Sequence, residues 1–554
     1  MELSGAQIVL ECLKEQGVDT IFGYPGGAVI PLYDALYDNF DTFTHILTSH
    51  EQGAVHGADG YARTTGKVGV CFATSGPGAT NTITGIATAY LDSVPMVVFT
   101  GQVPRSLLGK DSFQEVDITG ISLPITKHNY LVEDVDDLSD IIREAFETAQ
   151  TGRPGPVLID VPKNIFIEKT SYRNENIEAK QSNSEEIDEK LIDEVASVIN
   201  KSVKPVIYAG GGVIISNASE EFSKFATKAE VPVVNTLMGL GCFPRNNELS
   251  LGLVGMHGLK EANLAVTNSD LVIAVGARFS DRVVGKVNKF APRAQIIHID
   301  IDKTEINKNK KANLSIIGDV KKILNKLVER VDSKDRSPWL KEINQWKSDG
   351  RLAEKEFTAK NIMKTAQDIL GDDTIVVTDV GQHQMWTAQY WKFTKPRSFL
   401  SSGGLGTMGY GLGAAIGAQV AKPDGTILHV TGDGSFRMNC NELATVTKYN
   451  LPTITLLLNN NTLGMVRQWQ KLFQNERYSQ TDIGNEVNYV KLADAYGIEG
   501  YRVEELDSLA EVLKEVVQKR QSAVIECKID KNQGVYPIVP AGKPIDDLIE
   551  GKIG

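Results

Sequence analysis

The chain has 554 residues, 42% of them hydrophobic and 23% charged, with a formal net charge of −12 at pH 7. This predicts three or four globular domains of ordinary composition. The negative charge, with no basic run denser than 308–311, excludes a nucleic-acid backbone as the main partner. No stretch approaches a membrane span, and the first 17 residues lack a signal-peptide core. The five cysteines are scattered without a CxxC pair, which fits a reduced, cytoplasmic location.

Strands rich in β-branched residues alternate with amphipathic helices almost throughout, predicting an α/β fold of doubly wound, mainly parallel sheets. In chain order, a short strand at 45–48 precedes Ser49-His50-Glu51-Gln52-Gly53-Ala54, which starts a helix. A strand from Gly69 runs into the turn Ser75-Gly76-Pro77-Gly78, then a helix, then Val94-Pro95 and another strand. Residues 171–190 are polar and read as a linker. A strand from Pro205 ends in Gly210-Gly211-Gly212, short of a full GxGxxG, and a strand at 294–300 ends in Asp300, as ribose-binding strands do. Residues 331–360 are strongly charged and read as a second linker, with Trp339 and Trp346 predicting a docked helix inside it. A strand at 374–378 precedes Asp379-Val380-Gly381-Gln382-His383, whose amides and polar side chains suit a diphosphate. A glycine-rich turn, 401–409, then enters a helix. The expected domains are 1–170, 187–330 and 361–535, with a tail at 536–554 that either covers the active site or lies on the surface.

The strongest local signal comes last. An apolar strand at 426–430 ends in Gly432-Asp433-Gly434-Ser435, a helical segment at 441–449 follows, and a strand at 453–458 ends in Asn459-Asn460. Ligands of an open parallel sheet bind at the carboxyl ends of its strands, so adjacent strands would bring Asp433 and Asn460 together. One carboxylate and one amide oxygen form a sparse hard-oxygen site suited to Mg²⁺, which keeps waters and takes phosphate oxygens. Thr74 to Pro95 and Thr431 to Pro452 have the same separation and the same strand, glycine turn, helix, proline, strand order. The first and third domains therefore read as copies of one fold, with an acid at the turn only in the third.

The spacing of GDG and NN resembles the thiamine diphosphate (ThDP) enzymes. The resemblance implies that Asp433, Asn460 and the carbonyl of Thr462 hold Mg²⁺. It places Val380, Gly381, Gln382, His383, Gly406, Gly434, Ser435 and Met465 around ThDP, with Met408 wedged beneath it to bend the cofactor. It makes Glu51 the acid that hydrogen-bonds the aminopyrimidine ring, and such a carboxyl is useful only in an apolar setting that raises its pKa. In that family the glutamate and the metal site meet across a subunit interface, so the smallest active unit is a homodimer.

Six stretches narrow the resemblance to the acetohydroxyacid synthase catalytic subunit over essentially the whole chain. These are Ile21-Phe-Gly-Tyr-Pro-Gly-Gly-Ala28, Thr100-Gly-Gln-Val-Pro-Arg105, Asp111-Ser-Phe-Gln-Glu115, Ile125-Thr-Lys-His-Asn-Tyr130, Arg153-Pro-Gly-Pro-Val-Leu-Ile-Asp-Val-Pro-Lys163 and Leu463-Gly-Met-Val-Arg-Gln-Trp469. The family decarboxylates pyruvate and joins the two-carbon unit to a second 2-oxoacid, giving 2-acetolactate or 2-aceto-2-hydroxybutyrate for branched-chain amino acids. The resemblance puts Gly27 near the oxoacid, Gln114 and Lys163 on the access channel, and Phe113, Met465, Val466 and Trp469 around the second substrate. It implies FAD against Arg153, Gly210, Gly211, Gly212, Thr236, Leu237, Met238, Met256, His257, Gly258, Gly276, Arg278, Asp281, Arg282, Asp300, Asp319 and Val320, largely as a structural cofactor. A dimer or dimer of dimers and a small regulatory subunit are the implied partners. Ser106 and Ala541 depart from many relatives, which bears on inhibitor sensitivity. A catabolic FAD-independent acetolactate synthase, a pyruvate oxidase, a degenerate scaffold and a generic dehydrogenase are the competing readings, and the last explains neither the repeat nor the GDG and NN pair.

Overall fold

The computed structural model describes residues 1–174, 187–347, 356–484 and 486–551. Three six-stranded sheets, every neighbouring pair parallel, organise the chain. A short antiparallel pair, β1 (Glu2–Ser4) with β8 (Lys169–Ser171), ties the two ends of the first domain together. The first sheet contains β2 (Thr20–Gly23), β3 (Thr44–Leu47), β4 (Gly69–Ala73), β5 (Met96–Gln102), β6 (His128–Leu131) and β7 (Pro156–Pro162), in the order β3-β2-β4-β5-β7-β6. The central sheet contains β9 (Pro205–Ala209), β10 (Val233–Asn235), β11 (Ser250–Leu253), β12 (Leu271–Val275), β13 (Gln295–Asp300) and β14 (Leu314–Ile317), in the order β11-β10-β9-β12-β13-β14. The third contains β15 (Ile375–Thr378), β16 (Phe399–Leu400), β17 (Ile427–Gly432), β18 (Ile454–Asn459), β19 (Glu499–Val503) and β20 (Ala523–Lys528), in the order β16-β15-β17-β18-β20-β19.

Counted from its own first strand, the third sheet repeats the order of the first: second, first, third, fourth, sixth, fifth. The central sheet is different. Its order is third, second, first, fourth, fifth, sixth, the arrangement of dinucleotide-binding folds. Strands such as β4 and β12 are buried on both faces, which is why they read as unbroken apolar runs rather than alternating ones, whereas β5 and β7 are equally buried but share a polar cluster in which Thr100 and Gln102 donate to Asp160. Helix 433–439 begins at Asp433 itself, earlier than the expected helical segment at 441–449, with a short turn and helix 443–448 completing the connection.

The first and third domains dock through two glycine-bearing helices, Glu51–Thr65 and Gly411–Ala421. A Cβ on Gly60 would overlap the Ala414 carbonyl, and one on Gly417 would overlap that of Gly57, so neither position admits a larger residue at this approach. A buried polar cluster closes the seam. Arg63 pairs with Asp59 at 2.6 Å and with Asp92 at 3.0 Å, and the Tyr410 hydroxyl donates to Asp59 at 2.6 Å. Burial opposes the guanidinium charge, but Asp59, Tyr410 and Asp92 outweigh it and hold Arg63 protonated.

Much of the expected second linker belongs to the central unit. Arg336 is buried and donates to the carbonyls of Ala229, Ser202 and Ile199. Helix Ser337–Asn344 buries Trp339, which donates to Pro205 O and meets Trp346 edge-on. The central unit thus extends past the expected boundary at 330, because residues with apolar or paired side chains sit among the charges. Of the two linkers, residues 175–186 and 348–355 lie outside the described part. Among the described residues, no helix is long and apolar enough to cross a membrane.

Candidate active site

The corner expected to hold a metal forms where β17 and β18 end side by side, with Gly432 opposite Leu458. Asp433 and Asn460 emerge there together. The backbone amides of Asp433, Asn460 and Gly434 favour the charged form of the Asp433 carboxyl, yet its Oδ2 is buried without a partner. Burial raises the Asp433 pKa to about 6, against those amides and Arg437. An orphaned buried carboxylate oxygen beside a carboxamide fits a bound cation. Asn460 Oδ1 accepts from the Thr462 amide at 3.2 Å, so two of the three expected ligands share the loop after β18, while Asp433 comes to it from the end of β17. Segment 481–483 secures that loop: Leu463 N donates to Thr481 O, Ile483 N donates to Asn461 O, and Arg437 holds Ile483 O.

The loop after β15 faces this corner. Ser435 Oγ donates to Val380 O at 3.1 Å, and a Cβ on Gly434 would meet Leu463 and lie 3.6 Å from the Met408 methyl. A Cβ on either Gly381 or Gly432 would come within 2.9 Å of the His383 ring, so both positions require glycine. Val380, Gly381, Gly406 and Met465 line a large cleft, whereas Gln382 and His383 lie buried behind its wall. Gln382 is occupied by Asn460, Gln468 and the Gln533 carbonyl. Burial lowers the His383 pKa to about 4 and its Nε2 has no partner, so the ring is neutral at pH 7.

The residue that organises this loop was not singled out as a site residue in the sequence. Asp379, at the end of β15, accepts from Gly411 N at 2.8 Å and Thr431 Oγ1 at 2.7 Å, and it contacts His429 Nε2 at 3.0 Å. Burial alone would raise its pKa, but His429 and the Gly411 amide take it down to about 2. Its only sequence signal is an acid ending an apolar strand. Asp92 is a second omission: it accepts from the amides of Gly403 and Gly404 while paired to Arg63, fixing the turn that leads to Met408.

The cleft, about 1180 Å³, is larger than the ~300–1,000 Å³ of a pocket for one small ligand. It runs from the loop at Val380 and the side chains of Met465 and Trp469 to the point where the central sheet reverses its strand order, between β9 and β12. There the two glycine turns touch: a Cβ on Gly212 would lie 2.7 Å from Gly276 Cα, and Gly276 has φ +54°. All the residues expected against FAD line this cleft except Gly258, which instead closes a turn onto Gly255 and packs against Asn263. Arg278 has no ion-pair partner among the described residues, which suits a pyrophosphate, whereas Arg153 is already paired with Glu305 at 2.9 Å and Asp302 at 3.4 Å. The residues present fit a dinucleotide.

The remaining expected residues gather at the carboxyl edge of the first sheet. Glu51 follows β3, is buried, and accepts from Asn81 Nδ2 at 3.0 Å. Gly27 is exposed with open space around its Cβ position, Lys163 starts the helix after β7, and Gln114 holds a left-handed φ of +61° against Gly76. Phe113 is 89% exposed and Val466 50% exposed, and neither lines the cleft. Within one chain the Glu51 face is no part of the cleft wall that carries Val380 and Met465.

Three family descriptions match: the thiamine pyrophosphate enzyme N-terminal TPP binding domain at 3–121, the central domain at 192–327 and the C-terminal TPP binding domain at 379–527. The chain is 46% identical over 566 residues to the probable acetolactate synthase large subunit of Methanocaldococcus jannaschii, covering 99% of this chain and 95% of that one. It is 45% identical over 551 residues to the isozyme 2 large subunit of Escherichia coli acetolactate synthase, covering 99% and 100%. For the acetolactate synthase large subunit of Lactococcus lactis the identity is 45% over 556 residues, covering 99% and 96%. With three parallel-sheet domains in matching order and identity sustained from end to end, the chain belongs to the acetolactate synthase large-subunit family of thiamine pyrophosphate enzymes.

Proposed function

We propose that this chain condenses two pyruvates to 2-acetolactate and CO₂, or pyruvate with 2-oxobutyrate to 2-aceto-2-hydroxybutyrate and CO₂. It does so with ThDP, Mg²⁺ and FAD, in branched-chain amino-acid biosynthesis in the cytoplasm. The observation that carries the reading is the orphaned Asp433 oxygen beside Asn460, set directly behind a loop that shares one cleft with a dinucleotide-type glycine pair.

Asp433, Asn460 and the Thr462 carbonyl hold the cation, and Val380, Gly381, Gly406 and Met408 seat ThDP. ThDP held there would supply the carbon acid on which decarboxylation of a 2-oxoacid depends. Glu51 faces the aminopyrimidine nitrogen; because Asn81 donates to Oε2, Oε1 is the oxygen left to meet that nitrogen. Glu51 reaches the cofactor from a second copy of the chain, since its face lies outside the cleft of its own chain. That copy contributes Gly27, Gln114 and Lys163 to the substrate path. The central cleft would hold FAD against the glycine turns after β9 and β12 and Arg278, as a brace for the fold, because carboligation changes no net oxidation state. The relatives' designation as large subunits supports a small regulatory partner.

Trp469 lies on the cleft beside Phe473, at 5.2 Å between ring centres, on the same helix as Met465. A flat indole there packs against the extra methyl of 2-oxobutyrate, and one such methyl is worth about 1–3 kcal/mol. Purified protein given both oxoacids is therefore expected to form both products with a preference for the larger acceptor. Trp469→Leu should lower that preference about tenfold. Formation of neither product by the wild type would sink the functional reading, and an unchanged ratio in the variant would remove Trp469 from the acceptor pocket.

A further inference from the structure

The carboxamides of Asn460, Gln382 and Gln468 form one buried hydrogen-bonded relay in the third domain. Asn460 Nδ2 donates to Gln382 Oε1 at 3.2 Å, and Gln382 Nε2 donates to Gln468 Oε1 at 3.0 Å. Gln468 ends the relay on the main chain of Val535: its Oε1 accepts from Val535 N at 2.8 Å and its Nε2 donates to Val535 O at 2.9 Å.

A carboxamide has an accepting end and a donating end, so this relay has a direction. Val535 presents a donor and an acceptor together and admits only one orientation of Gln468. Gln468 in turn presents oxygen to Gln382, which turns its own oxygen toward Asn460. Asn460 is left with its NH₂ facing Gln382 and its Oδ1 facing the Thr462 amide and the cation corner. A reversed Asn460 would present N–H donors to the cation, which binds oxygen.

The anchor belongs to the C-terminal segment, which is neither a free tail nor part of the third domain alone. Val535, Ile538, Val539 and Ile545 are buried. From Val535 the segment crosses to the central domain, where Val539 N donates to Met256 O at 2.8 Å, and Met256 N donates to Arg282 O on the wall of the large cleft. Asn263 Nδ2 donates to Ile545 O farther along.

We propose that Gln468 is a positioning residue that makes cation affinity at Asn460 depend on docking of the C-terminal segment at Val535. The proposal rests on the reading of Asn460 as a Mg²⁺ ligand. Coupling between two sites is reciprocal, so Mg²⁺ must also tighten the segment.

The test uses the full chain with FAD present. Calorimetry with ThDP gives the Mg²⁺ dissociation constant for the wild type, Gln468→Met, Gln468→Glu and Asn460→Ala, and hydrogen exchange follows amides 535–539 with and without Mg²⁺ and ThDP. Gln468→Met, similar in shape but without an acceptor for Gln382 or a donor for Val535, leaves only Gln533 O to hold Gln382 Nε2; it should weaken Mg²⁺ about tenfold and abolish the Mg²⁺-dependent slowing of exchange. Gln468→Glu keeps an acceptor for Gln382 but loses the donor to Val535 O, so it should retain more Mg²⁺ affinity than Gln468→Met while losing the Mg²⁺-dependent slowing of exchange. Wild-type Mg²⁺ affinity in Gln468→Met, with weakened affinity in Asn460→Ala, would overturn the relay and leave the ligand reading standing. Unweakened Asn460→Ala would overturn the ligand reading itself. Exchange at 535–539 in the wild type that ignores Mg²⁺ would overturn the coupling without any variant having to fold.

Discussion

Glu51→Gln is expected to slow exchange of the ThDP C2 proton, and acetolactate formation with it, by about 10²–10⁴-fold, the usual worth of a positioned acid–base group. The amide is nearly the size of the acid, and its oxygen can still accept the Asn81 hydrogen bond, so the buried pocket at the start of helix Glu51–Thr65 stays filled. What disappears is the exchangeable proton on the other oxygen. ThDP binding, measured by calorimetry, should therefore change only a few-fold while C2 exchange, followed by NMR, collapses. Undiminished exchange would take Glu51 out of the proton path. Loss of binding instead would make it a cofactor anchor.

The second large effect concerns Asp433 and has a defined pH window. Burial raises its pKa from the ordinary 3.8 to about 6. A carboxyl whose folded pKa is raised favours the folded metal-free state at low pH, and that advantage is lost as pH rises from 3.8 through 6, at about 3 kcal/mol in all. A cation in the corner offsets this cost only when the carboxylate is ionised. Apparent Mg²⁺ affinity should hold above pH 7 and fall about tenfold for each unit below 6. The upward shift of the thermal midpoint by Mg²⁺ and ThDP should be clear at pH 7.5 and small at pH 5. Asp433→Asn should abolish both the stabilisation and the activity across this range. A variant that still shows full Mg²⁺ stabilisation would place the cation elsewhere.

The parts of the site read most readily from sequence were those in which one strand end carries the chemistry. Asp433 and Asn460 follow consecutive parallel strands, so strand adjacency alone brings them together, and β17 and β18 are indeed neighbours. The glycine turns after β9 and β12 were visible as motifs, and their meeting at the reversal of the central sheet follows from topology. The repeat between the first and third domains was legible for the same reason: a glycine turn and a proline bound each helix at fixed spacing, and the two sheets share one strand order.

What escaped was chemistry made by tertiary contact. Asp379 becomes an organiser only because His429, Thr431 and Gly411 arrive from elsewhere in the chain. Gln468 went unremarked between Met465 and Trp469, and its partners come from a segment 67 residues away. Polar composition at 331–347 hid only part of the docking: Trp339 and Trp346 signalled the helix there, but the burial of Arg336 against carbonyls of the central domain had no local sign. Gly258 failed in the opposite way, since its neighbours line the cleft while the glycine itself serves the turn.

One cleft joining a ThDP site to a resident flavin makes carboligation by this chain dependent on FAD. The most direct test of this dependence is the initial rate of acetolactate formation from pyruvate by flavin-stripped protein with ThDP and Mg²⁺, as FAD is titrated back without any electron acceptor. The account predicts little product without FAD and a saturable return of activity with it. Full acetolactate formation without FAD, or acetate or acetyl phosphate in place of acetolactate, would contradict it.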